Sequence, residues 1–229
     1  MTTISANLQA VHARIRDAAV KWGKNPTDIS LLAVSKTWPA TAVQEAAASG
    51  QRAFGENYVQ EGVDKTAELA SLRLDWHFIG PLQSNKTRRV AESFAWVHSI
   101  DRLKIAERLS EQRPDSLPPL QVCLQVNVSG EDSKSGVAGE EALTLAEQVM
   151  RLPRLQLRGL MAIPAPVEDF DQQRLAFRRL HDIFEALKNK GLPLDTLSMG
   201  MSHDLEAAIA EGSTMVRVGT AIFGERTYA

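Results

Sequence analysis

Lys36 ends an apolar run, Ile29 to Lys36 (ISLLAVSK), that reads as a buried strand. Side chains alternate along a strand, so Leu32, Val34 and Lys36 share one face. If that face is inward, Lys36 projects into a pocket. A desolvated amine gives up its proton more readily and becomes a nucleophile for carbonyls. The competing reading is a lysine that has left the strand and reached water. A second group of residues lies far along the chain, in Ser198-Met199-Gly200-Met201-Ser202 and in Gly219-Thr220. Ser202 is placed to open a helix, whose free N–H groups bind phosphate, and the glycines let backbone approach an anion. Ordinary capping and a tight turn would use the same residues. Arg217 shares its strand phase with Gly219. A buried guanidinium keeps its charge and needs an acceptor. A pyridine ring nitrogen is one candidate, and an ion pair with Glu56 or another internal acid is the other. A reactive lysine, a phosphate cup and an arginine donor on one rim describe a site for pyridoxal 5'-phosphate.

These residues must be brought together by the fold. Ile4 to Trp22 reads as a helix, with Ile4, Leu8, Val11, Ile15 and Ala18 at helical spacing. After it the chain alternates. Strands are expected at Ile29–Lys36, Ala53–Glu56, Asp75–Gly80, Trp96–Ile100, Leu120–Val128, Leu155–Ile163, Thr196–Gly200 and Met215–Gly219. Each of the first seven is followed by a helical stretch. Asp101 is expected to cap the fourth of these, and Ser202 the seventh. Such alternation argues a parallel sheet. Eight units in a chain near the usual length of about 250 residues argue a (β/α)8 TIM barrel with an extra N-terminal helix. An open doubly wound sheet is the competing architecture. In a barrel the chemistry sits at the C-terminal ends of the strands, where Lys36, Glu56-Asn57, Gly80, Asn127, Ser198 to Ser202 and Gly219-Thr220 all fall. Pro114–Pro119 and Ile163–Val167 are short enough to be loops, so residues 1–229 are expected to form a single domain.

Composition narrows the classes further. The 229 residues are 24 % charged and 44 % hydrophobic, which excludes global disorder. A net charge of -2 gives no basic field for nucleic acid. No apolar run is long enough to span a membrane, and the polar N-terminus lacks the core of a signal peptide. A lone Cys123 builds neither a disulfide framework nor a cysteine zinc cluster, so a cytoplasmic location is expected. The five histidines are scattered, and no metal site is expected. The sequence lacks GxGxxG, GxxxxGK[ST] and HExxH.

Longer blocks carry a resemblance. LLAVSKTWP, FGENYVQEGVDK, HFIGPLQSNK, VNVSGEDSKSG, GLMAIPAP and SMGMSHDLEAAIAEGSTMVRVGTAIFG run through nearly the whole chain. In these the sequence resembles the YggS/PROSC family of pyridoxal phosphate homeostasis proteins, whose fold is similar to the N-terminal barrel of alanine racemase, a fold-type III pyridoxal phosphate protein. The resemblance implies that Lys36 holds the cofactor as a Schiff base. Ser202, Gly219 and Thr220 would hold its phosphate and Arg217 its ring nitrogen, while Asn57, Ser198 and Met199 would line the pocket. Trp38 and His203 fall at positions that vary in the family.

The function implied is reversible holding of pyridoxal phosphate without robust turnover, with apoenzymes that use the cofactor as recipients. A racemase needs acid/base groups on both faces of the substrate carbanion. Racemases of this fold take the second group, a tyrosine, from a C-terminal β-domain of the partner subunit. This chain leaves no residues for such a domain, and neither Tyr58 nor Tyr228 is obviously placed for the role. An arginine facing the ring nitrogen also disfavours its protonation and weakens the ring as an electron sink. Without the dimerising domain, a monomer is expected. The alternatives are a small pyridoxal phosphate-dependent amino-acid racemase and a cofactor-free Schiff-base aldolase acting on sugar phosphates.

Overall fold

The structure, a computed structural model, describes residues 3–130 and 135–225. Eight parallel strands close into a barrel in the order of the sequence. They are β1 Ser30–Val34, β2 Ala53–Glu56, β3 Asp75–Phe78, β4 Trp96–Ile100, β5 Leu120–Gln125, β6 Leu155–Met161, β7 Thr196–Ser198 and β8 Met215–Val218. The helices are α1 Ile4–Lys21, α2 Ala40–Ala48, α3 Val59–Glu68, α4 Thr87–Ser93, α5 Leu103–Gln112, α6 Ala142–Met150, α7 Phe170–Asn189, α8 Leu205–Ala210 and α9 Thr220–Phe223. The molecule is therefore a (β/α)8 barrel preceded by one helix. The open sheet is excluded because β1 pairs with both β2 and β8, with Leu32 beside Arg217 and Ala33 beside Phe54.

Each element follows from its residues. Helix α1 starts where Thr3 accepts the Ala6 N–H at 3.2 Å, and its buried stripe is Leu8, Val11, Ile15, Ala18 and Ala19. Helix α7 starts in the same way, Asp169 accepting from Gln172. The main apolar layer lies between barrel and helices, where Phe54, Phe78, Phe94, Ile105, Leu109 and Phe177 are sealed from solvent. No described helix is long and apolar enough to cross a membrane.

Several expected ends move. Strands β1, β3, β5, β6 and β7 stop before Lys36, Gly80, Val128, Ile163 and Gly200, because the chain leaves the ladder while its composition is still apolar. The Asn127 side chain instead accepts the Ser129 and Gly130 N–H groups, tying up the loop after β5. Asp101 does not cap α5. The cap residue is Arg102, and the Asp101 carboxylate pairs with the Arg102 guanidinium at 2.9 Å. Ser202 does not cap α8 either. Asp204 precedes that helix, and its carboxylate accepts the Met201 N–H at 2.6 Å, folding 201–204 into a turn. A short helix that sequence spacing did not reveal, α9, follows β8.

Candidate cofactor site

At the C-terminal mouth of the barrel lies a cavity of about 190 Å³. Val34 and Lys36 enter it from the end of β1, and Asn57 and Ile79 from the ends of β2 and β3. Ile163 comes from the segment after β6, Met201, Ser202 and His203 from the turn before α8, and Arg217, Gly219 and Thr220 from β8 and the start of α9. Val34 and Lys36, and Arg217 and Gly219, thus reach one space, as their shared phase in the sequence suggested. Lys36 is in a turn rather than on the strand, since the Trp38 N–H donates to the Ser35 carbonyl at 3.1 Å.

Six of the sequence-assigned site residues, Lys36, Asn57, Ser202, Arg217, Gly219 and Thr220, therefore meet around the cavity. Ser198 and Met199 do not reach its wall. Adjacent strand residues point to opposite sides. Met199 is fully buried in the apolar layer beneath the helices, and Ser198 points into the barrel below the cavity. Ile79, Ile163 and His203 line the cavity without having been assigned to it, and so does Met201, which the sequence placed only within the run Ser198 to Ser202. Tyr58 is 56 % exposed and is not on the wall. Tyr228 lies outside the described residues.

Arg217 is almost fully buried and points into the barrel. Its guanidinium donates to the Ser198 carbonyl at 2.5 Å, the Ser198 hydroxyl at 2.9 Å and the Ala162 carbonyl at 2.9 Å. Burial brings its pKa down to about 10, which leaves it charged at neutral pH. The alternative partner Glu56 lies between β2 and α3, where it pairs with Lys65 at 2.7 Å. Burial raises the Glu56 pKa, against the pull of Lys65. The hydrogen bonds continue downward from Arg217: Ser198 Oγ is 2.8 Å from His98 Nδ1, and His98 Nε2 is 2.9 Å from His77 Nδ1. His77 stacks on Trp96, with ring centroids 5.1 Å apart. Burial lowers the His77 pKa to about 3 and holds His98 well below its ordinary value, His77 and Arg217 adding repulsion. Both rings are therefore neutral at pH 7. A guanidinium only donates, so Ser198 accepts from Arg217 and its own O–H donates to His98 Nδ1, leaving His98 Nε2–H to donate to His77.

Three features suit a phosphorylated pyridine. The Asn57 Oδ1 atom is buried without a hydrogen-bond partner among the described residues, an acceptor left over for a ligand donor. A Cβ on Gly219 would sit 3.1 Å from the Val34 carbonyl oxygen, so only a glycine leaves the backbone bare at that edge. Beside it, Thr220 opens α9, and the first N–H groups of a helix have no partner within it. No group of histidine, cysteine and acidic residues suited to a metal exists among the described residues.

The barrel and this mouth define the class: the sequence profile of the alanine racemase N-terminal domain matches residues 6–227. Within that class the chain belongs to the YggS/PROSC family of pyridoxal phosphate homeostasis proteins. It is 64 % identical over 228 residues to the pyridoxal phosphate homeostasis protein of Pseudomonas aeruginosa, covering 100 % of this chain and 98 % of the relative. With the protein of the same name from Escherichia coli K12 the identity is 57 % over 232 residues, covering 100 % and 99 %. Among solved structures, PipY of Synechococcus elongatus with pyridoxal phosphate bound superposes with a TM-score of 0.81 at 40 % identity, covering 92 % of this chain and 100 % of PipY.

Proposed function

We propose that this chain binds pyridoxal 5'-phosphate at the barrel mouth, with Lys36 as the covalent attachment point, and serves cofactor homeostasis without robust turnover. The observation that carries this reading is the meeting of Lys36, Arg217, Ser202, Gly219 and Thr220 around one cavity. When bound, the cofactor supplies an aldehyde that condenses with a primary amine, releasing water, and a ring that can take up electrons. Lys36 is the amine. Ser202 and the backbone of Gly219 and Thr220 hold the phosphate. Arg217 faces the ring nitrogen, fixed by Ser198 and Ala162, and Asn57 offers its unpartnered oxygen. Relatives named for cofactor homeostasis rather than for a reaction support the carrier role. Apoenzymes that use the cofactor are the expected recipients, in the cytoplasm and with this protein as a monomer.

A guanidinium at the ring nitrogen opposes ring protonation, because like charges repel. It also leaves the ring a weak electron sink. Arg217→Met leaves the ring nitrogen without its donor, a loss that costs about 1–3 kcal/mol. Retention of the cofactor in equilibrium dialysis is expected to fall by about tenfold or more. Retention at the wild-type level would remove Arg217 from the site.

One observation favours the racemase alternative: His203 lines the cavity with Lys36, so a second titratable group is present. A screen of racemisation and transamination across the common amino acids decides between the readings, with Lys36→Ala as the blank and His203→Ala beside it. The carrier reading expects no turnover approaching the ordinary enzyme range of about 1–10³ s⁻¹. A rate in that range, lost in either variant, would establish the racemase.

A further inference from the structure

Thr37, the residue after Lys36, has a φ of 69°. For a β-branched residue this left-handed backbone is strained, and it persists only where the surroundings impose it. Those surroundings are a charge cluster of buried Glu56 and Lys65 and half-buried Glu61, between β2 and α3. The Thr37 N–H donates to Glu61 Oε1 at 2.6 Å. Lys65 Nζ donates to that same oxygen at 2.6 Å, to Glu56 Oε1 at 2.7 Å and to the Ser35 carbonyl at 2.7 Å. The Ser35 hydroxyl completes the cluster, donating to Glu56 Oε1 at 2.6 Å. Ser35 and Glu56 are fully buried and Lys65 is 5 % exposed. The backbone on both sides of Lys36 is therefore gripped by one ammonium and two carboxylates that do not line the cofactor cavity.

We propose that Lys65 is a positioning residue for Lys36: through Glu56, Glu61, Ser35 and Thr37 it holds the turn that aims the Lys36 amine into the cavity. A buried ion cluster is weak evidence for stability, because desolvation offsets attraction. A strained residue beside the nucleophile gives the cluster a local task. Lys36 can condense with an aldehyde only if its amine approaches the carbonyl carbon from above the carbonyl plane, and a misplacement of about 1 Å can cost up to about 10²-fold. A backbone hydrogen bond from Trp38 to Ser35 closes the turn, while the Thr37 N–H goes to Glu61.

The proposal rests on Lys36 being the attachment point, and the test separates the two ideas. Cofactor-free Lys65→Met is mixed with pyridoxal phosphate, and covalent capture is followed by borohydride quenching and intact mass. In parallel, binding of pyridoxine 5'-phosphate, which lacks the aldehyde, is measured by calorimetry. The expected result is capture slowed by about tenfold or more with unchanged affinity for the aldehyde-free analogue. Adding Thr37→Gly is expected to recover part of the rate, since glycine takes a positive φ without support. Glu61→Gln, which weakens the clamp without removing the buried ammonium, serves if Lys65→Met does not fold. Capture at the wild-type rate in both variants would overturn the proposal. So would an equal loss of capture and analogue binding, which would mark Lys65 as structural only. If the wild type binds the analogue but traps nothing on Lys36, the attachment reading fails instead. Acetic anhydride labelling of Lys36, relative to Lys86 in the same cofactor-free sample, then reads the clamp alone. An unchanged labelling ratio in Lys65→Met would overturn it.

Discussion

Lys36→Ala is expected to abolish covalent retention of pyridoxal phosphate. The wild type, loaded and dialysed, should keep a visible absorbance band and one equivalent of cofactor. The variant should show neither, while still binding pyridoxine 5'-phosphate through Ser202, Gly219, Thr220 and Arg217. The effect is all-or-none because a condensation needs a primary amine, and Lys36 is the only lysine on the cavity wall among the described residues. A variant that kept both band and stoichiometry would show that another amine does the holding.

The second large effect concerns acid. His77 and His98 are sealed inside the barrel, and burial lowers the His77 pKa to about 3, with His98 also well below the ordinary 6.5. In the unfolded chain each ring takes up a proton as pH falls through about 6.5, while in the folded chain each stays neutral. The unfolded state thus binds more protons between those limits, and stability falls as pH falls. Each histidine contributes a slope of about 1.4 kcal/mol per pH unit across its window. Urea unfolding at pH 7.5, 6.0 and 5.0 should show the folded state weakening steadily below pH 6.5. His98→Asn should remove about half of that slope. A flat profile from 7.5 to 5.0 would mean that the pair is charged or exposed.

Much of the barrel is legible from local pattern. Short β-rich runs bounded by glycine and proline placed all eight strands, since buried parallel strands are apolar on both faces. Strand phase did more. It put Lys36 with Val34, and Arg217 with Gly219, and those four residues share the cavity. The same alternation, applied at β7, would have separated Ser198 from Met199, and it explains why Met199 lies in the outer apolar layer instead. The chain of His77, His98 and Ser198 was not legible, because the neighbouring strands β3 and β4 supply the two rings while Ser198 comes from β7, about a hundred residues on, and only barrel closure brings it to His98. Lys65 reads as an ordinary polar position of α3 until Glu56 and Glu61 are seen around it. His203 has no periodic signal at all, being delivered by the turn that Asp204 closes on Met201.

The central claim is that this barrel holds pyridoxal phosphate covalently on Lys36. Borohydride reduction of the loaded protein, tryptic digestion and mass mapping test it most directly. A blocked Lys36 resists trypsin, so the account predicts one peptide spanning residues 25–52, carrying the reduced cofactor with the modification on Lys36. Cleavage after an unmodified Lys36, with the label found on Lys86 or any other lysine, would contradict it.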